Sequence, residues 1–145
     1  MRIVLISCSK TKASGKRAAE EMYQGALFKK SLEYAKAVLI PDRIYILSAK
    51  YGLLPLDRQI ENYDTTLIGQ KATFVRNWAS LVKQQIIMAG LDLFNDEFVL
   101  MAGETYCRYL IDNTQDYYIV NYTRPLQGLR LGEQIKRINQ MIMNK

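Results

Sequence analysis

The sequence predicts an α/β protein, a three-layer sandwich in which helices cover both faces of a four-stranded parallel sheet. Three observations predict it. Four short aliphatic runs, Arg2–Ser7, Arg43–Ser48, Glu97–Met101 and residues 117–120, are too continuous for half-exposed strands and read as strands buried on both faces. Stretches with helical spacing separate them, which gives each parallel pair the crossover it needs. The strands also end in polar segments, and in parallel sheets ligands bind beyond the carboxyl ends of the strands. With 145 residues, 49% of them hydrophobic and only three prolines, the chain is expected to form one domain over residues 1–145.

Taken in order, the first strand leads into Ser7-Cys8-Ser9-Lys10-Thr11-Lys12, then a Ser-Gly-Lys-Arg loop, then helical patterning from about Ala18 that Gly25 divides into a short and a longer helix. Leu27, Phe28, Leu32 and Ala35 recur at helix spacing, and Pro41-Asp42 ends the pattern. The second strand exits through Ala49-Lys50-Tyr51-Gly52. Residues 53–69 hold no long period and predict an excursion lying over the sheet, and ordered loops of that length are often functional. A helix over about 70–89 places Phe74, Trp78, Leu81, Val82 and Ile86 inward and stops at Gly90. The third strand is followed by Ala102-Gly103 and a short helix with Tyr106, Tyr109 and Leu110. After the fourth strand, a polar loop over 121–128 precedes a last helix with Leu131, Ile135, Ile138 and Ile142 inward.

Composition removes several function classes. There is no histidine, which excludes Ser-His-Asp and Cys-His catalysis and any histidine base or metal ligand. Cys8 and Cys107 are far apart and outside any metal-spaced pair, so neither a disulfide framework nor a zinc knuckle is expected, and no metal or cofactor is expected. No apolar run approaches the roughly 20 residues that span a bilayer, and the opening residues are a poor signal peptide, so a cytoplasmic protein without a membrane partner is expected. Twenty basic residues against fourteen acidic give +6, which favours phosphate-bearing partners, a nucleotide or nucleic acid.

The first polar exit offers hydroxyls, a thiol, backbone amides and the cations Lys10 and Lys12, a plausible anion cradle, although a solvated turn with incidental lysines reads the same way. It lacks the spaced glycines of a Walker loop. Cys8 is a candidate nucleophile if a neighbouring lysine lowers its pKa, or an ordinary buried thiol. In the second exit Ser48, Lys50, Tyr51 and Gly52 offer a hydroxyl, a cation and a ring able to stack on a base, while a core tyrosine and a turn glycine explain them nearly as well. Asp64 is a carboxylate of the excursion placed to orient water, or the cap of the following helix. Gly103, Tyr106 and Arg124, in the later exits, complete the ligand-binding candidates.

Ile6-Ser7-Cys8-Ser9-Lys10-Thr11-Lys12, Ile46-Leu47-Ser48-Ala49-Lys50-Tyr51-Gly52-Leu53, Tyr63-Asp64, Ala102-Gly103 with Tyr106, and Pro125-Leu126-Gln127-Gly128-Leu129 together resemble the small bacterial and phage family known as domain of unknown function 6884. The first loop is also similar to one in the central domain of archaeosine synthase and, through it, to the uracil-DNA glycosylase superfamily. That resemblance implies strand order 2-1-3-4, with the base facing the exit of the first strand. Those glycosylases often carry an aspartate after the first strand and a histidine after the fourth, whereas this chain has Ser7-Cys8-Ser9-Lys10 and no histidine.

The function expected is base processing of a nucleotide or modified nucleic acid, with hydrolysis of an N-glycosidic bond as the reaction. Lys10 and Lys50 would hold phosphate, Ser7, Ser9 and Ser48 would read the base with backbone amides, and Asp64 would orient water or stabilise an oxocarbenium charge. The alternative is a non-catalytic nucleotide- or nucleic-acid-binding protein of phage or bacterial origin.

Overall fold

A computed structural model describes residues 1–144. The central strand β1 (Arg2–Ser7) carries Ile3, Val4, Leu5 and Ile6, all essentially sealed from solvent. The alternation of a strand sends Ile3 and Leu5 into one core and Val4 and Ile6 into another, one on each face of the sheet. Helices therefore cover both faces.

After β1 come a two-residue strand β2 (Arg17–Ala18), α1 (Ala19–Met22) and α2 (Ala26–Tyr34), which runs on through a π-helical turn (Ala35–Leu39). Next are β3 (Arg43–Ser48), β4 (Gly52–Pro55), β5 (Gln59–Ile60) and α3 (Ala72–Met88). The chain closes with β6 (Glu97–Met101), α4 (Glu104–Cys107), β7 (Tyr122–Thr123) and α5 (Leu131–Met143). Val75, Trp78, Ala79, Val82 and Ile86 of α3 fill the core that holds Ile3 and Leu5. Met22 of α1, Phe28 of α2 and Ile138 of α5 fill the other. Among the described residues no helix is long and apolar enough to cross a membrane.

The sheet is mixed and five-stranded, in the order β4-β3-β1-β6-β7. The four-stranded, all-parallel sheet expected from the sequence does not form. β3, β1, β6 and β7 are parallel, but β4 is antiparallel to β3, with Ser48 opposite Gly52 and Tyr45 opposite Pro55. Gly52 is the physical reason. Its φ of +74° lets the chain reverse within Ala49-Lys50-Tyr51, and a Cβ there would sit 2.2 Å from Oε1 of Gln85. Gln85 fastens the hairpin from above, accepting the Leu53 N–H at 2.7 Å and donating to the Tyr51 carbonyl at 3.1 Å. Pro55 is tolerated because β4 is an edge strand.

The last parallel strand is also displaced. Residues 117–120 were expected to form it, yet their amides find partners elsewhere: Ile119 N–H donates to the Leu110 carbonyl at 2.7 Å and Val120 N–H to that of Leu93 at 3.0 Å. Lys83 Nζ occupies the Tyr117 carbonyl at 3.1 Å. Pairing with β6 begins only where Phe98 N–H meets the Asn121 carbonyl at 2.9 Å, so β7 falls at Tyr122–Thr123. Two helix faces differ as well. Phe74 and Leu81, expected inward, are 42% and 43% exposed because the buried stripe of α3 centres on Val75, Val82 and Ile86, about a quarter turn away. Leu131 is 61% exposed because it opens α5 at the lip of a hollow.

Residues 53–69 are tied down rather than merely laid over the sheet. β5 pairs with β2 (Arg17 opposite Ile60), which joins the excursion to the loop after β1. Tyr63 and Leu67 are buried, one in each core.

Candidate functional site

The exits of β1, β3 and β6 lie along one edge of the sheet because those strands are parallel. Three adjoining hollows open along it. The largest, about 580 Å³, is walled by Cys8, Ser9, Lys10 and Lys12 from the β1 exit, Asp64 from the excursion and Tyr106 from α4. A second, about 390 Å³, meets Ser7, Gly103, Glu104 and Arg124. A smaller one of about 280 Å³ lies between them, sharing Cys8, Ser9 and Lys10 with the first and Ser7, Leu27 and Met101 with the second.

The β1 exit is held by its own backbone. Cys8 N–H donates to the Leu47 carbonyl at 3.0 Å, and Gln24 N–H donates to the Thr11 carbonyl at 2.8 Å. Ser9 Oγ donates to the Thr11 carbonyl at 2.7 Å and accepts the Gly25 N–H at 3.1 Å. The approach is close enough that a Cβ on Gly25 would lie 2.8 Å from Cβ of Ser9. Ser9 therefore shapes the loop with its hydroxyl, while Lys10 remains exposed at the rim and Lys12 half-buried.

Beneath this loop lies a relay of hydroxyls. Ser48 Oγ accepts the N–H of Lys50 at 3.2 Å and of Tyr51 at 3.0 Å. With both lone pairs engaged, it donates to the Tyr63 hydroxyl at 2.8 Å, and Tyr63 donates to that of Tyr23 at 2.6 Å. Trp78 Nε1 donates to the Ser48 carbonyl at 2.8 Å. Burial pushes the Tyr23 phenol up to about 12 and raises those of Tyr63 and Tyr106 also, so all three stay protonated donors. Lys12 Nζ sits 4.6 Å over the Tyr63 ring, and Lys50 Nζ lies 5.3 Å from the Tyr51 ring and 6.0 Å from that of Tyr63. Buried Tyr63 thus anchors the excursion where the next residue, Asp64, reaches the largest hollow.

On the opposite wall Tyr106 packs edge-on against Trp78, with centroids 5.4 Å apart, and its hydroxyl lies 3.4 Å from Sγ of Cys8. Cys107, one residue later, is a buried free thiol whose pKa burial raises to about 11, which keeps it neutral. In the second hollow the Arg124 side chain is 6% exposed. Its NH1 donates to Oε2 of Glu104 at 3.0 Å, while the Glu104 side chain is 60% exposed. Arg124 Nε is buried with no hydrogen-bond partner.

Of the residues singled out in the sequence, the fold gathers Cys8, Ser9, Lys10, Lys12, Asp64 and Tyr106 around one hollow, and Ser7, Gly103 and Arg124 around its neighbour. Ser48 and Gly52 lie buried under the hairpin, and Lys50 and Tyr51 sit on its turn. Sequence reasoning did not find the Tyr23–Tyr63–Ser48 relay, the Gln85 clasp or the Glu104–Arg124 pair. Their partners stand 40, 15, 32 and 20 residues apart, so no local spacing announces them. Among the described residues no three Cys, Asp or Glu side chains gather as a metal site.

No curated protein and no solved structure matches the chain. Over residues 3–140, however, it matches the model of the Family of unknown function (DUF6884), and the chain belongs to that family.

Proposed function

We propose that this protein binds a nucleotide or a modified nucleic acid at the exits of β1 and β6 and processes its base by hydrolysing the N-glycosidic bond. The observation that carries the reading is the convergence on one hollow of two cations, Lys10 and Lys12, an aromatic hydroxyl, Tyr106, and a carboxylate, Asp64. Its volume of about 580 Å³ lies within the range of pockets that enclose small ligands. Lys10 and Lys12 attract phosphate to the rim, with Lys50 beside them, and the protonated Tyr106 hydroxyl offers a donor to a base. Asp64 orients a water toward the anomeric carbon. The carbon–nitrogen bond breaks with its electron pair leaving on the base, the water oxygen bonds to the sugar, and the water's proton passes to the base.

The parallel run β3-β1-β6-β7 supports reading the fold as uracil-DNA-glycosylase-like, with the base at the β1 exit. In this reading the protein works in the reducing cytoplasm, where Cys8 and Cys107 stay thiols. One observation favours a second reading, a non-catalytic binder: Asp64 is exposed, so bulk water competes at the group that would orient the attacking water.

Mass spectrometry of small molecules released from canonical DNA, base-modified DNA, transfer RNA and a nucleotide panel separates the two. Free base released by the wild type and not by Asp64→Asn supports hydrolysis. Recovery of an unaltered nucleotide bound to the protein, with no release, leaves the binder. Neither release nor retention removes both.

A further inference from the structure

We propose that the second hollow is a subsite for a terminal phosphate monoester, held by Arg124 and guarded by Glu104. The proposal rests on the nucleotide reading above for the identity of the ligand, but it stands on its own geometry. A guanidinium carries five N–H donors in a rigid fork. Here the side chain is 6% exposed: NH1 is paired to Glu104 at 3.0 Å, Nε is sealed from solvent, and the guanidinium lies against the Cys107 thiol. Arg124 lines a hollow of about 390 Å³ that a ligand can enter, and the carboxylate paired with it there stands in open water. The fork of Arg matches the oxygens of a phosphate, which can take up several donors at once.

The partner already present behaves as a placeholder. The Glu104 side chain is 60% exposed, and such an exposed carboxylate is released into water at little loss. An incoming phosphate competes for the same donor and repels the displaced carboxylate. Around the fork, Gly103 and Gly128 bring backbone to the wall without side chains, and Ser7 adds a hydroxyl from the β1 exit. A nearly sealed guanidinium also selects for position. A terminal phosphate reaches it end-on, whereas an internal phosphodiester must carry an ester arm out on each side. Two sources supply that chemistry, a free mononucleotide and the phosphorylated end of a strand. In the latter case the strand passes Lys10 and Lys12, since the small hollow joins the two larger ones.

Calorimetric titration of the full chain tests this with inorganic phosphate, thymidine and its 5′-monophosphate, and a thymidine dinucleotide with and without a 5′-phosphate. The terminal phosphate is expected to tighten binding roughly tenfold or more. Glu104→Gln is expected to tighten phosphate-bearing probes by about two- to fivefold and to leave unphosphorylated probes unchanged. Arg124→Gln is expected to abolish the phosphate preference, and Arg124→Lys to retain part of it. Should the Arg124 variants fail to fold, the exposed Glu104→Gln change still decides. A Glu104→Gln protein that binds inorganic phosphate no tighter than wild type overturns the subsite. If nucleosides and nucleotides bind alike, the subsite fails and the nucleotide reading stands. If inorganic phosphate binds with the expected Glu104 response while no nucleoside-bearing probe binds better, the subsite stands and the nucleotide reading fails. Preference for the monophosphate over the phosphorylated dinucleotide, or the reverse, identifies the source.

Discussion

Two buried polar assemblies flank the β1 exit, and they are built on opposite terms. On one side Ser48, Tyr63 and Tyr23 pass a chain of hydrogen bonds in which every Ser48 valence is used, at 2.6 to 3.2 Å. On the other, the Arg124 side chain is 6% exposed, lies against the Cys107 thiol and takes an exposed carboxylate for NH1. A saturated network fixes the backbone around it and has nothing left to offer a ligand. A pair closed by a carboxylate in open water contributes little to the fold and can exchange that partner for a ligand. The difference teaches where to look: of two polar groups at one crevice, the one whose partner stands in open water is the candidate for recognition.

The sharpest way to break the contrast is Tyr63→Ala, which removes a ring packed among Tyr23, Tyr51 and the cation of Lys12. A loss of about 3–5 kcal/mol in urea denaturation is expected, as for other buried aromatic truncations. Ser48→Ala strands the amides of Lys50 and Tyr51 and the hydroxyl of Tyr63, and is expected to cost about 1–3 kcal/mol by the same measurement. Gly52→Ala, forced to hold φ near +74° against Gln85, is expected to cost a similar ~1–3 kcal/mol. Pairing it with Gln85→Ala in a double-mutant cycle separates the backbone strain from the collision.

Arg124→Met carries the opposite expectation. The partner it leaves behind is exposed Glu104 and not a buried charge, so stability should change by less than about 1 kcal/mol while phosphate recognition disappears. A loss as large as that of Ser48→Ala would erase the distinction between the two assemblies. The last effect is confined to alkali. Tyr23 ionises near 10 when unfolded and near 12 when folded, so its contribution is whole below pH 10 and fades as pH rises through 12. Tyr23→Phe should lessen the slope of a stability-versus-pH curve there, with the remainder carried by Tyr63 and Tyr106, and leave the neutral part without a slope of its own.

How much of this was legible beforehand follows from the range of each interaction. β1, β3 and β6 announce themselves because Ile-Val-Leu-Ile, Ile-Tyr-Ile-Leu and Phe-Val-Leu-Met need burial on both faces. α2 and α3 show in their periodicity, but the rotation of α3 depends on what the sheet presents to it, and that placed Phe74 and Leu81 on the wrong side of the stripe. Leu53-Leu54-Pro55 is equally apolar in a loop and in an edge strand, and only the reversal at Gly52 decides. Residues 117–120 look like a strand, yet Leu93, Leu110 and Lys83 compete successfully for their backbone. At the site, the polar exits pointed to Cys8, Ser9, Lys10, Lys12 and Tyr106 among other candidates because parallel strands all end on one edge, while Asp64 was singled out from the excursion. Roles within the exits were not legible, since whether a hydroxyl faces a ligand or its own backbone, as in Ser9 and Ser48, is settled by residues distant in sequence.

The two rims of the sheet have a bearing on life in a concentrated solution. One ends on the four residues of β4, closed by Pro55, and the other on the two residues of β7. A proline lacks the N–H that a neighbouring strand would need, and a two-residue ladder offers too little length to template another. Both rims of this sheet are therefore poor templates for edge-to-edge addition of further strands.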